Sequence, residues 1–391
     1  MSETTLGALA RSGVLSLGDG YRTKQSELTD DGFRIIRVAD VKDGRIALDS
    51  PDFVSADFER QIGAKRATAG DILLTTKGSV GRVAIVPESV TQAVYSPQLC
   101  WFRIVDSGVL NPRFLAYWLQ SDAFLAQSSY MQGNTDMAPY ISLSDLRSSK
   151  ITIPPHAEQQ AIAEVLGALD DKIAANTALA GGADELMHQT FRSLTADSEV
   201  PLSNTADFVN GKAFTKGASG TGRVVVRIAE LNGGISGSTV HSDAEVDDKH
   251  VARPGDILFA WSGSLTLHRW FRPEAIVNQH IFKVVPQRGY PAWLVYELLR
   301  RKLVDFKAIA ADKATTMGHI QRHHLDEVVE VPSVTDIDRL QPLMSGLWDS
   351  ALNAEQESLT LAATRDALLP QLMSGKLRVR DAEDLIVQAG V

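Results

Sequence analysis

"GDILLTTKGS" at residues 70–79 and "GDILFAWSGS" at residues 255–264 open alike, 185 positions apart in a chain of 391 residues. The likeness extends both ways. Upstream, "FRIIRVADVKDGRI" (33–46) is matched by "RVVVRIAELNGGIS" (223–236), each a β-branched run that closes on a glycine turn. Downstream, "VYSPQLCWFRIV" (94–105) is matched by "IVNQHIFKVVP" (276–286), and "NPRFLAYWLQSDAF" (111–124) by "YPAWLVYELLRRKL" (290–303). Next, "DMAPYISLSDLRSSKITIP" (136–154) is matched by "TTMGHIQRHHLDEVVEVP" (315–332). A unit this long exceeds the roughly 20–50 residues of a solenoid repeat; it is a whole domain, written twice.

A long segment without strand signals follows each copy. In the first, Ile162, Leu166, Leu169, Ile173, Asn176, Ala180, Ala183, Met187, Thr190 and Leu194 advance alternately by four and three, the spacing of a coiled-coil seam. Shifting by 178 positions gives a second seam of Leu340, Met344, Leu347, Ala351, Ala354, Ser358, Leu361, Arg365, Leu368 and Leu372. Helices of about 35–40 residues, at about 1.5 Å per residue, reach roughly 50–60 Å, the length of a spacer. The polar Asn176 and Ser358 are suited to fixing register. Gly181 and Gly182 let two backbones approach closely or mark a hinge. Two shorter helices per segment, each packed on its own domain, is the plainer alternative.

Length admits two to three domains, and 44% hydrophobic with 22% charged residues is ordinary for a soluble globular protein. The N-terminus lacks a basic start with a sustained apolar run, and no stretch approaches the roughly 18–20 uncharged apolar residues of a membrane span, so a cytoplasmic protein is expected. Cys100 is the single cysteine, which excludes an internal disulfide and a cysteine zinc site; in "PQLCWF" it reads as a small buried apolar residue.

The net charge of −9 is unevenly spread. Residues 1–150 hold 16 Lys and Arg against 17 Asp and Glu, and residues 200–330 hold 16 against 14. Residues 151–199 hold 2 against 8, and residues 331–391 hold 5 against 9. The acidity belongs to the helical segments, which leaves the near-neutral domains free to present basic faces to nucleic acid.

No catalytic motif is present. "GKAF" (211–214) and "GKLR" (375–378) lack the hydroxyl residue of a phosphate loop, and GxGxxG, HExxH and GxSxG do not occur. "IPPH" (153–156) has neither the preceding polar residue nor the following aromatic of amino-methylating enzymes, and reads as a strand end leading into a helix. Seven of nine histidines fall in 200–330, and His319 and His323 have the i, i+4 spacing of a helical metal pair. No third ligand is near in sequence, so solvated or phosphate-contacting imidazoles are the simpler reading, and no metal is expected.

Polar, basic and aromatic loop residues remain. In "TTKGSVGR" (75–82) the glycines permit a tight turn from which Thr76, Lys77, Ser79 and Arg82 project; "AWSGSLTLHR" (260–269) offers Trp261, Ser262, Ser264, His268 and Arg269. Such side chains bond phosphates and base edges or pack on sugar and thymine methyl groups. The same frame with different chemistry is what a reader of two different half-sites needs. A hairpin with glycines for backbone reasons alone is the competing reading. Further candidates are Tyr21, Arg22 and Lys24 in "GYRTK" (20–24), Lys212 and Lys216 in "GKAFTK" (211–216), Gln132 and Asn134 in "QGNTD" (132–136), and Lys313, Thr315 and Thr316 in "DKATT" (312–316).

"GDILLTTKGSVGRVAIVP", "IPPHAEQQAIAEVLGALDDKI" and "LLPQLMSGKLRV", together with the order domain, helix, domain, helix, resemble the specificity subunits of type I restriction-modification systems, the HsdS family. The second helix begins "VPSVTDIDRL" (331–340) without the Pro-Pro and Glu-Gln of the first, and "SGSLTLHRW" (262–270) departs from the GxxGR form. The resemblance implies a mixed α/β (α+β) fold: two similar target recognition domains joined by two long helices in an antiparallel coiled coil, with pseudo-two-fold internal symmetry. The expected boundaries are 1–154 for the first domain, 155–197 for the first helix, 198–332 for the second domain, 333–377 for the second helix and 378–391 for a tail.

By the same resemblance, each domain reads one half of a split double-stranded DNA sequence, and the helix pair sets the gap and docks two methylase subunits, with two restriction subunits as optional partners. The chain itself is expected to be non-catalytic and without cofactor; S-adenosylmethionine, ATP and magnesium belong to the partners. A protein-interaction scaffold bridging two copies of a partner is the alternative from another class, and an enzyme with an unfamiliar site is the third reading.

Overall fold

The computed structural model describes residues 2–42, 44–48, 50–131, 139–312 and 318–388. The chain divides into two compact units, Met1–Lys172 with Leu361–Val391, and Ile173–Thr360. This division cuts through both long helices instead of falling at their ends.

In the first unit, an antiparallel sheet runs in the order Leu15–Asp19, Leu99–Ile104, Ile72–Thr75, Val83–Ile85. In the second, the order is Ala206–Asn210, Ile281–Pro286, Ile257–Ala260, Thr266–Arg269, the same path through the repeat. Each unit adds a small sheet built on a parallel pair, Phe33–Ile36 with Ala93–Tyr95 and Arg223–Val226 with Ala275–Val277. Each also has a two-stranded ladder at its margin: Ser2–Thr5 with Lys150–Ile153, and Ala196–Pro201 with Val328–Pro332. The quoted runs therefore fold alike because their apolar residues occupy the same strand positions. "ILLT" and "ILFA" are buried along their whole length, as central strands covered on both faces require.

The long helices span His156–Arg192 and Val334–Met373. The first stops short of residue 197 because Ala196–Pro201 pairs with Val328–Pro332 instead. The second ends where Gly375 takes φ 69°, a left-handed conformation that glycine adopts freely. Beyond it, the expected tail contains a further helix, Val379–Gln388.

Of the seam residues, Ile162, Leu166, Leu169, Leu340, Met344, Leu361, Leu368 and Leu372 are buried, while Ile173 and Leu347 are half-buried. Within the first unit, Arg365 Nη1 donates to Asp170 Oδ1 at 2.7 Å, so the residue that breaks the second seam finds a carboxylate on the other helix. Within the second unit, Ala180 and Ala183 pack on Ala351 and Ala354 with Leu347 alongside, and Asn176 Nδ2 donates to Glu357 Oε2 at 2.7 Å. Rising numbers on one helix meet falling numbers on the other, the mark of antiparallel pairing. The first helix is continuous through Gly181 and Gly182, both exposed.

The two helices begin differently, as their sequences require. Gln159, buried beneath the first turn, accepts from Asn111 N at 2.9 Å and donates to Val109 O at 3.1 Å and Pro154 O at 3.0 Å. The second helix starts on Ser333, whose Oγ accepts from Asp336 N at 3.1 Å, a side-chain cap in place of the Pro-Pro start. Cys100 is buried, and burial pushes its thiol well above the ordinary range.

Candidate DNA interface

The first hairpin joins Ile72–Thr75 to Val83–Ile85 through residues 76–82. Thr75 Oγ1 accepts from Arg82 N at 2.9 Å and donates to Ser79 O, which closes the turn from inside. Thr76 is buried, and its N–H and hydroxyl both donate to Gln98 O at 2.9 Å. It supports the loop and does not project. Lys77 and Ser79 are exposed; Lys77 Nζ lies 5.7 Å from the ring centre of Tyr140, and Ile141 N donates to Thr76 O at 2.9 Å. Arg82 is half-buried, with Nη1 3.4 Å from Val41 O.

The second hairpin has the same anchors with different residues. Trp261 N donates to His280 O at 3.1 Å where Thr76 N donates to Gln98 O, and Ile320 N donates to Trp261 O at 3.0 Å where Ile141 meets Thr76. Backbone bridges Lys77 to Tyr140 and Ser262 to His319 complete the correspondence. Pairing of Ala260 with Thr266, against Thr75 with Arg82, makes the second loop one residue shorter. Thr266, not Arg269, is thus the counterpart of Arg82.

Register decides which side chains remain outside. Ser264 is exposed, but Ser262 is buried. Trp261 is half-buried, its Nε1 donating to Asn210 Oδ1 at 2.9 Å and its ring resting 5.9 Å from that of Phe282. His268 is half-buried with Nε2 3.0 Å from Thr266 Oγ1, and burial lowers its pKa. Arg269 is only 5% exposed and turns away from the loop altogether. Its Nη1 donates to Asp184 Oδ1 at 3.0 Å and its Nε to Glu355 Oε2 at 3.1 Å, with the guanidinium 4.8 Å from the Trp348 ring centre. Burial disfavours the charge, but the two carboxylates outweigh it and hold the pKa above the ordinary arginine value. The expectation that Thr76, Ser262 and Arg269 project is corrected: each is held inside by strand register or by partners distant in sequence.

Two glycines bring a second polar loop to each hairpin. A Cβ on Gly20 would lie 2.0 Å from Ser96 O, and one on Gly211 would lie 2.1 Å from Asn278 O. Only glycine lets these backbones touch. In consequence Tyr21 N donates to Tyr95 O at 2.7 Å, and Gln279 N donates to Lys212 O at 2.9 Å. Tyr21 is half-buried against Phe33, Ile35 and their neighbours, and burial and then Glu27 raise its pKa. Arg22, Lys24, Lys212 and Lys216 are exposed. Gln132, Asn134, Lys313, Thr315 and Thr316 lie outside the described residues.

Sequence reasoning missed Tyr140, Asn210, Asn278 and His280, which hold these loops together. Their signal is positional: Gln98 and His280, or Tyr140 and His319, align once the repeat is extended through the turns. The proposed helical pairing of His319 and His323 is not found, since His319 precedes the helical turn Arg322–Asp326. Among the described residues no group of three or more His, Cys, Asp or Glu forms a metal site, and no helix is long and apolar enough to cross a membrane.

Residues 12–180 match the type I restriction modification DNA specificity domain. The chain is 30% identical over 152 residues to the type I restriction enzyme EcoBI specificity subunit of Escherichia coli, covering 38% of this chain and 29% of that one. It is 27% identical over 166 residues to the MjaVIII specificity subunit of Methanocaldococcus jannaschii, covering 41% and 38%. These two matches span less than half of either relative. A longer match, 23% identical over 355 residues, covers 80% of this chain and 78% of the MjaIX specificity subunit of the same organism. In fold, the chain is similar to the S subunit of a type I restriction-modification system from M. genitalium, with TM-score 0.55 and 17% identity over 95% of each chain.

Proposed function

We propose that the chain, similar over residues 12–180 to the type I restriction modification DNA specificity domain, is a specificity subunit of that kind and reads a two-part DNA sequence for enzymes carried on other polypeptides. One observation carries the proposal: the two units have equivalent hairpins whose corresponding residues differ, Thr76 against Trp261 and an exposed Lys77 against a buried Ser262. An identical frame gives both readers the same approach to a groove, and unlike tips give each its own preference. Exposed Lys77, Arg22, Lys24, Lys212 and Lys216 supply phosphate contacts, which position the domains without specifying bases.

The helix pair then fixes the unread gap and docks two methylase subunits, which bring S-adenosylmethionine; restriction subunits, when present, bring ATP and magnesium. The chain acts in the cytoplasm, where its DNA lies. Its five segments are kept with revised bounds, the first helix ending at Arg192 and the second at Met373.

The test is selection from a random duplex library by the full chain co-expressed with its methylase subunit, at several salt concentrations. Two short conserved blocks separated by a fixed gap, in binding that weakens steeply with salt, are expected. Binding to the methylase with no selected sequence favours the scaffold reading instead.

A further inference from the structure

After Ala275–Val277, the chain of the second unit turns through Asn278, Gln279 and His280 before entering Ile281–Pro286. This turn ties together both polar loops of its domain. Asn278 Oδ1 accepts from Phe214 N at 3.1 Å, Gln279 N donates to Lys212 O at 2.9 Å, and His280 O accepts from Trp261 N at 3.1 Å.

His280 stands out within it. Among the described residues it is the single non-glycine with positive φ, at 74°. Such a conformation persists only where the surroundings enforce it, and it concentrates at binding sites. Among the described residues its buried Nδ1 has no hydrogen-bond partner, nor has the Oγ of Ser262, itself 5% exposed. The imidazole lies 5.3 Å from the Trp261 ring, centre to centre, and Trp261 also meets the ring of His319 at 6.5 Å. The first unit carries no such strain at Gln98, and an exposed Lys77 stands where the second has Ser262.

Two bare polar atoms and a strained backbone around one hairpin tip are unfavourable in the free protein. A partner that bonds both atoms would repay that cost, and the edge of a base pair offers donors and acceptors at this scale. We propose that His280, with Ser262, is a specificity-determining residue of the second domain: both polar atoms are covered in the free chain, and the hairpin tip opens on DNA so that they contact a nucleobase edge. This rests on the DNA-reading function above. It locates the second domain's base contact beneath Trp261 and not on the exposed basic residues.

The experiment compares the wild-type chain with His280→Gly, which keeps the left-handed backbone and removes the imidazole, and with Ser262→Ala, each co-expressed with the methylase subunit. Random-duplex selection and thermal unfolding are read on all three. The expected result is that discrimination at one or two positions of a single half-site falls at least tenfold, the other half-site is unaltered, and the unfolding midpoint holds or rises. Unchanged discrimination overturns the inference. So does an equal loss at both half-sites, or a lowered midpoint accompanying the loss, because either marks a structural role. A wild-type chain that selects no sequence overturns the DNA-reading function itself, and the inference with it.

Discussion

Arg269 and Asp184 stand 85 residues apart in sequence, and the guanidinium of the first lies 3.0 Å from the carboxylate of the second. Glu355 completes the grip, so the outer strand of the sheet is tied to both long helices within the second unit. Arg269 is buried while Asp184 and Glu355 are half-buried, so removing the guanidinium leaves two carboxylates unpaired but partly solvated, which costs less than the loss of a fully buried partner, about 1–3 kcal/mol. Arg269→Met should lower stability to chemical denaturant by that order. The triple variant with Asp184→Leu and Glu355→Leu should regain most of it.

Gly181 and Gly182 face solvent inside a continuous helix, and a Cβ built on either meets nothing within 4 Å. Replacing each by alanine should stabilise the protein by up to about 1 kcal/mol, because helix propensity is gained with no clash. A destabilisation in denaturant titrations would show that the chain bends there in solution.

His250 is 4% exposed, and neither ring nitrogen has a hydrogen-bond partner among the described residues. Burial, then the Lys212 and Lys249 cations, lower its pKa, against a smaller opposing effect of Asp247. The unfolded chain therefore takes up a proton near the ordinary histidine value of about 6.5 that the folded chain refuses. Stability is full above that pH and is lost as the pH falls below it. His268, lowered by burial, contributes with the same sign. His250→Phe should flatten part of the fall in melting temperature between about pH 7 and pH 5, a comparison that unfolding scans across this range provide.

Adding one heptad to each long helix, at matched positions, lengthens the pair by about 10 Å. If the helices set the unread gap, the selected DNA should gain about three base pairs between its conserved blocks, at about 3.4 Å per pair. Retention of the original gap would separate spacing from helix length.

The duplication and the seam were legible because both depend on local period. Strand runs such as "ILLT" and "ILFA", and apolar residues stepping by four and three, carry their partners' positions within a short window. The loop residues were legible only in part. Thr76, Trp261 and Arg269 look alike as polar or aromatic neighbours of a glycine turn. Their fates are decided by Gln98, Asn210, Asp184 and Glu355, which the sequence does not place. The second turn is one residue shorter, so Thr266 takes the frame of Arg82 and Arg269 lies three residues further along its strand, which a motif-level pairing does not resolve. His280 was invisible because left-handed backbone at a non-glycine residue has no compositional signature.

The first unit is assembled from both ends of the chain, Met1–Lys172 with Leu361–Val391, whereas the second is one uninterrupted stretch. During synthesis the ribosome releases every residue of the second before it releases the last residues of the first. Domains generally fold as their chain emerges, so the second unit is complete first, and the first waits, with part of its core open, for the residues from Leu361 onward. Loss of the residues after Leu361 therefore damages the unit whose first stretch was made earlier.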